Sequence, residues 1–225
     1  MSNASTRPRP VRSTPPAPRR SRSDHSRKVL PVAVGLVGAM ALVAVLIGVT
    51  MAPSDTVSIQ SQTGEVRVAG AALTPYSAGA ADPSVGRPIP ELRGYGFDDQ
   101  PITVTPAGDA KIVLFVAHWC SHCQAEVPRI VDWLAAGRLP GAQLVAVSTA
   151  VDANRPNYPP SEWLEREDWA IPTMTDDTDG TAARAFGLTA YPYFVAVKAD
   201  GTVAARASGE LAVEQLQALI AAAKG

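Results

Sequence analysis

Apart from Cys120 and Cys123, the 225-residue chain contains no cysteine. Any intramolecular disulfide therefore joins these two, and a bridge closing so small a loop contributes little as a structural staple. Reversible redox chemistry becomes the first function to weigh. The chain is also too short for two comfortable domains, although it is long enough for one well-buried domain with additions. Charge is absent altogether from Val29 to Ala52. Elsewhere it is divided: residues 1–28 carry eight Arg or Lys against Asp24 alone, leaving 12 basic and 20 acidic residues for the remainder. Such a split marks two environments rather than one polyanion-binding surface.

The uncharged run explains the split. At ~1.5 Å of rise per residue, about 20 apolar residues cross a bilayer as a helix. Arg27 and Lys28 sit directly before this run and Asp55 is the first charge after it. The positive-inside bias places residues 1–28 in the cytoplasm and the rest beyond the membrane. A nucleic-acid-binding tail is the other reading of the arginines, and the membrane span makes it unnecessary. A cleaved signal peptide is the alternative to a retained signal-anchor, but its apolar region is normally shorter, ~7–15 residues, with a small-residue cleavage site after it. Thr50-Met51-Ala52 is a poor match to such a site. The expected organisation is a basic disordered cytoplasmic tail (1–28), a transmembrane helix (29–52), an extracytoplasmic linker (53–85) and a folded domain (86–225). On that side of the membrane a disulfide forms and persists.

Within the domain, Ile112 to Ala117 is a continuous apolar run of the kind buried on both faces of a sheet. It leads directly into His118-Trp119-Cys120-Ser121-His122-Cys123. Helical spacing of Glu126, Ile130, Val131 and Leu134 predicts a helix over 121–136, kinked at Pro128. Leu144 to Ser148 reads as a second buried strand, so strand, helix and strand form a right-handed parallel crossover. Ile102 to Val104 suggests an edge strand. A Pro-rich stretch, 152–169, holds a short helix capped by Ser161. A strand over 171–174, a helix over 181–186 closed by Gly187, and an antiparallel pair over 193–197 and 202–207 follow. The pair turns at Asp200-Gly201. The chain ends in an amphipathic helix with Leu211, Leu216, Leu219 and Ile220 near one face. The fold class is α/β, a mixed central sheet flanked by helices.

The cysteines fall at the start of the first long helix. Unpaired backbone N–H groups and the positive end of the helix dipole favour a thiolate there. Cys120, on the cap side, is the candidate nucleophile; Cys123, one turn in, is placed to resolve a mixed disulfide. A protonated His122 adds positive charge near Cys120, which stabilises the reduced pair and makes the disulfide a stronger oxidant. The other reading of His122 is an exposed ring without a tuning role. His118 is open between a surface residue and a second electrostatic contributor, and Trp119 shapes and shields the sulfur. A copper or zinc site from Cys120, Cys123, His118 and His122 would crowd four ligands into six positions. Closed zinc sites usually draw a second ligand pair from elsewhere. Neither a metal nor a cofactor is expected.

These residues resemble the thioredoxin-like superfamily, in particular membrane-anchored TlpA/ResA/DsbE-like thiol–disulfide oxidoreductases of the bacterial cell envelope. The resemblance covers about Gly86 to Ala223. It is carried by the apolar strand before Trp119-Cys120-Ser121-His122-Cys123, by Glu126 and Pro128, by Tyr191-Pro192 before a strand, and by Asp200-Gly201 and Gly209. It implies a thioredoxin-like fold and a cis bond between Tyr191 and Pro192, with Trp119, Tyr191 and Pro192 bordering the client. It also implies an acidic residue, Glu126, near the active site. Read from the residues alone, Pro192 could simply begin a strand and Glu126 could be a helix-surface glutamate. Two departures stand out. Ser121-His122 replaces the Pro-Pro frequent in this branch and is closer to the oxidising DsbA-like group. Leu114 occupies the place of the buried Asp of thioredoxins, which removes the usual proton acceptor for Cys123.

The resulting expectation is an extracytoplasmic enzyme that exchanges disulfides with exported protein thiols and with a membrane or extracytoplasmic redox partner. His122 favours oxidation. Reduction of specific clients such as apocytochrome c is the alternative. A non-enzymatic binding or copper-handling module is the rival of another class.

Overall fold

The computed structural model describes residues 61–79, 81–141 and 143–225. The expected cytoplasmic tail and transmembrane helix lie outside the described residues. Among those described, no helix is long and apolar enough to cross a membrane.

Two sheets form the frame. β1 (Arg67–Ala69), β2 (Glu91–Tyr95) and β3 (Pro101–Val104) make an antiparallel meander in that spatial order. Five further strands follow in the chain: β4 (Lys111–Val116), β5 (Leu144–Ser148), β6 (Thr173–Thr175), β7 (Tyr193–Val197) and β8 (Val203–Ser208). Their spatial order is β6-β5-β4-β7-β8. β5 runs parallel to β4 and to β6, whereas β7 runs antiparallel to β4 and β8. The parallel pair needs a crossover, which α1 (Ser121–Ala135) supplies. α2 (Pro160–Arg166), α3 (Thr181–Ala185) and the terminal α4 (Val213–Lys224) complete the fold.

The uninterrupted hydrophobicity of β4 follows from its place at the centre. Ile112, Leu114 and Val116 face a core built with Val127 and Ile130 of α1, Trp163 of α2 and Leu216 of α4. Val113 and Phe115 point the other way, into a second core with Leu92 of β2, Ala182 of α3 and Phe186. Alternate residues of a strand serve opposite faces, so a strand buried on both is apolar throughout. Tyr193 and Phe194 of β7 divide between the two cores in the same way.

The described part of the expected linker packs against the domain. Val66, Leu73 and Ser84 are buried, and β1 pairs with β2. The segment is fixed by Arg206 of β8, whose side chain is fully buried. Arg206 pairs with Asp82 through Nε at 2.7 Å and through Nη2, and Nη1 donates to the Thr74 carbonyl at 2.8 Å. Gly187 completes the attachment. Its φ of 72° is left-handed, and a Cβ there would lie 2.4 Å from the Thr74 carbonyl oxygen. Polar composition hid this packing, because the attachment is made by one buried ion pair and backbone hydrogen bonds rather than by an apolar run.

Smaller differences have local causes. α2 opens one residue before Ser161, with Pro160 in the first helical turn and Pro159 at the cap. Proline is pre-organised for that position and its missing N–H costs nothing there. The Ser161 N–H is instead taken by the Gln62 side chain at 3.0 Å. The strand expected over 171–174 forms at Thr173–Thr175, and Leu211 packs in the first core just ahead of α4.

Candidate active site

α1 begins at Ser121 with Cys120 as its cap, in an extended conformation (φ −76°, ψ 120°) and without a side-chain cap hydrogen bond. The Cys120 sulfur therefore stands where the first helical N–H groups are unpaired. Cys120 is half-buried and Cys123 fully buried; both are free thiols. Cys123 Sγ accepts from the Ala117 N–H at 3.4 Å. Burial pushes the Cys123 thiol well above the usual range, and Cys120 and the Glu126 charge push it further. The two sulfurs thus occupy unlike environments, one at the surface and one in the core.

Glu126, one turn beyond Cys123, is 1% exposed rather than on the helix surface. Burial pushes its carboxyl up to about 7, against the opposing effects of the Leu211 N–H and Arg129. Oε1 accepts from the Leu211 N–H at 3.2 Å, and Arg129 Nη1 lies 3.1 Å from Oε2. With Leu114 where thioredoxins carry an acid, Glu126 is the buried carboxyl whose charge reaches Cys123.

His122 is 63% exposed, and its Nδ1 lies 2.7 Å from Glu210 Oε1. The sequence aimed its charge at Cys120; the structure pairs it with a carboxylate from the loop before α4. His118 is neither a surface residue nor a second cation. It is fully buried, Nδ1 lies 2.7 Å from the Pro156 carbonyl, and Nε2 lies 3.2 Å from the Asp152 amide. The amide can only donate and the carbonyl can only accept. The ring is therefore the neutral Nδ1–H tautomer, and burial lowers its pKa accordingly.

Trp119 donates from Nε1 to the Ala150 carbonyl at 2.7 Å. Ala150 has a left-handed backbone, φ 51°, a conformation that residues with a Cβ seldom adopt. The Arg155 guanidinium lies 4.4 Å from the Trp119 ring centroid, and the Tyr191 and Trp119 rings meet edge to face with centroids 5.8 Å apart. His118 and Trp119 thus fasten the 150–158 loop beside the cysteines. The Tyr191–Pro192 bond is cis, as the resemblance implied. Cys120 and Tyr191 both pack against the first core, and burial pushes the Tyr191 phenol up to about 12, with Cys123 adding to it. The Pro192 carbonyl accepts from the Gly209 N–H at 2.9 Å.

Sequence spacing could not have found Glu210 or Arg155, which arrive from distant loops. Arg129, three residues after Glu126 on the same helix, was legible as an ion-pair partner. Among the described residues, no group of three or more His, Cys, Asp or Glu side chains is placed to hold a metal ion. Both ring nitrogens of His118 are already engaged, so His118, Cys120, His122 and Cys123 do not form one ligand set.

A cysteine pair at the start of α1, on a central sheet flanked by helices, defines a thioredoxin-like fold. The sequence model of the AhpC/TSA family matches residues 85–206, and the chain belongs to that family. A thiol:disulfide interchange protein of the thioredoxin family from Chlorobium tepidum has a similar structure, with a TM-score of 0.51 and 24% identity. It aligns over 64% of this chain and 99% of its own. Mycobacterium tuberculosis dsbF, solved in mixed oxidized and reduced forms, gives a TM-score of 0.50 at 21% identity, over 59% of this chain and 94% of its own. No curated protein matches the sequence.

Proposed function

We propose that this protein is an extracytoplasmic thiol–disulfide oxidoreductase, held by a single N-terminal membrane anchor, that exchanges disulfides with exported proteins through Cys120 and Cys123. The observation that carries this reading is the inequality of the two sulfurs: a half-buried one at a helix cap and a buried, strongly protonated one within the same turn. In the reducing direction, the Cys120 thiolate attacks a client disulfide. One Cys120–client S–S bond forms and one client thiolate leaves, taking up a proton. Cys123 then passes its proton to the Glu126 carboxylate and attacks Cys120 Sγ. The second client sulfur departs as a thiolate and takes up a proton, the Cys120–Cys123 disulfide remains, and two electrons have moved to the client. Oxidation is the same path reversed. Trp119, Tyr191 and Pro192 border the entering chain.

The resemblance and the thioredoxin-like fold support this class of chemistry over a binding or copper-handling module. Direction is the finer question. His122 favours oxidation only while its charge acts on Cys120. Its pairing with Glu210 offsets that charge and favours the second reading, reduction of specific clients. The deciding experiment combines variants with a potential. Cys120→Ser should abolish both insulin reduction and thiol oxidation, whereas Cys123→Ser should accumulate mixed disulfides with client protein. Retained activity in Cys120→Ser would sink the enzyme reading. A potential near about −270 mV would mark a reductant and one near about −120 mV an oxidant.

A further inference from the structure

The loop Gly209-Glu210-Leu211 makes hydrogen bonds to Pro192, His122, Glu126 and Arg129. The Gly209 N–H bonds the Pro192 carbonyl. Both sides of the Leu211 residue are clipped to α1: its N–H by Glu126 and its carbonyl by Arg129 Nη2 at 2.7 Å. Between them, Glu210 holds His122 with one oxygen at 2.7 Å and reaches Arg129 Nη1 with the other at 3.4 Å. The same Arg129 nitrogen lies 3.1 Å from Glu126. A continuous chain of ionisable groups therefore runs from an exposed ring between the cysteines to a buried carboxyl behind them. Glu210 also lies beyond the family-matched span, 85–206.

We propose that Glu210 is a positioning residue that, through Arg129, couples the state of His122 to that of Glu126, so that the exposed and buried proton sites beside the cysteines act as one unit. The groups facing Glu126 are Cys123 and Arg129 from its own helix and Glu210 from the loop before α4. Arg129 is shared by two carboxylates. When His122 draws Glu210 toward itself, more of the guanidinium's attraction falls on Glu126, and the buried carboxyl gives up its proton more readily. When His122 releases Glu210, Arg129 is compensated at the surface and Glu126 retains its proton. Glu210 acts on the sulfur only through these partners, so its effect lies in the pH dependence of the resolving step rather than in bond making.

The inference rests on the proposed exchange chemistry for its use, but its test does not need a client. The Glu126 carboxyl can be followed through pH by carbon NMR of glutamate-labelled protein, its resonance assigned with Glu126→Gln. In Glu210→Gln the Glu126 midpoint should fall by about half a pH unit, a roughly threefold change in the ratio of ionised to protonated carboxyl. In Arg129→Met, which keeps the aliphatic stem, it should rise by at least that much. Opposite signs from two neighbouring variants are not a general consequence of loosened structure. His122→Asn alone should raise the midpoint by about 0.3 unit, in keeping with the small worth of exposed pairs, and should have no effect in the Glu210→Gln background. An unchanged midpoint in Glu210→Gln, or an equal His122→Asn shift in both backgrounds, overturns the coupling. Loss of exchange activity in Cys120→Ser tests the enzyme reading separately.

Discussion

Two carboxylates, each paired with an arginine, sit at opposite ends of the molecule's electrostatics: Asp82 is part-buried, its side chain 12% exposed, whereas Glu126 is 1% exposed. Asp82 receives two guanidinium nitrogens of a fully buried Arg206 and the Ser84 N–H, and its pKa is held below the ordinary carboxylate range, chiefly by the Arg206 hydrogen bond. Glu126 receives one nitrogen of an Arg129 that is 38% exposed and shared with Glu210, and burial pushes it up to about 7. Glu126 is the more deeply buried, and burial is the largest influence on it, whereas the Arg206 hydrogen bond outweighs burial at Asp82. The cations differ as well, in whether each belongs to one acid or two and in whether it is itself removed from water. The first arrangement fixes a charge permanently and fastens the 61–85 segment to β8. The second leaves a carboxyl that titrates in the range where a thiol must be relieved of its proton.

The largest effect should come from breaking the permanent pair. Asp82→Ala strands the Arg206 charge in the interior, beside Tyr193, Thr74 and Phe186. Removing one member of a buried pair typically costs ~3–5 kcal/mol, so the denaturant midpoint should drop accordingly. A loss below about 1 kcal/mol would show that Arg206 reaches water in the variant and that the contrast with Glu126 has been drawn too sharply. The pH dependence has a definite sign. Asp82 holds its proton less tightly folded than unfolded. Its stabilisation is therefore present above the ordinary carboxylate range and is lost as pH falls through the lowered folded value.

Glu126 should behave in the opposite sense. The folded carboxyl binds its proton more tightly than the unfolded one. Its contribution is therefore fully present below the ordinary value, 4.5, and is lost as pH rises through about 7. Glu126→Gln removes that loss. Thermal or denaturant unfolding at pH 8 should show the variant more stable than the parent by ~2–3 kcal/mol, with the gap closing near pH 4. Exchange rate should move the other way if, as proposed, Glu126 accepts the Cys123 proton. If the gap is the same at both pH values, Glu126 is not the titrating group.

Much of this architecture is legible in the chain because its signals are local. The alternation of β4 between two cores makes Ile112 to Val116 unmistakably a central strand, and Gly201 with φ 84° closes the turn before β8 as expected. The cysteine helix starts where its N-cap geometry requires. What escaped is made by pairs far apart in sequence: Asp82 with Arg206, His122 with Glu210, and Trp119 with Arg155. Each is one polar residue among many until the fold brings it to its partner. The 61–85 segment shows the same limit, since its Gly, Ser and Pro content describes a loop without saying whether the loop is buried.

The 150–158 loop gives the smallest expected effect and the sharpest limit on the comparison. Its attachment to the cysteine motif combines the buried, doubly bonded His118 ring with the exposed Arg155 above Trp119. An exposed cation–π contact contributes ~0.5–1 kcal/mol, and Trp119 retains its hydrogen bond to Ala150 and its edge contact with Tyr191 without it. Arg155→Ala should therefore lower the denaturant midpoint by no more than that, with the slope unchanged. A cost approaching that of Asp82→Ala would mean that the rim of the cysteine site is fastened as firmly as the buried pair on β8. The division between a fixed end and an adjustable end would then fail at its least buried contact.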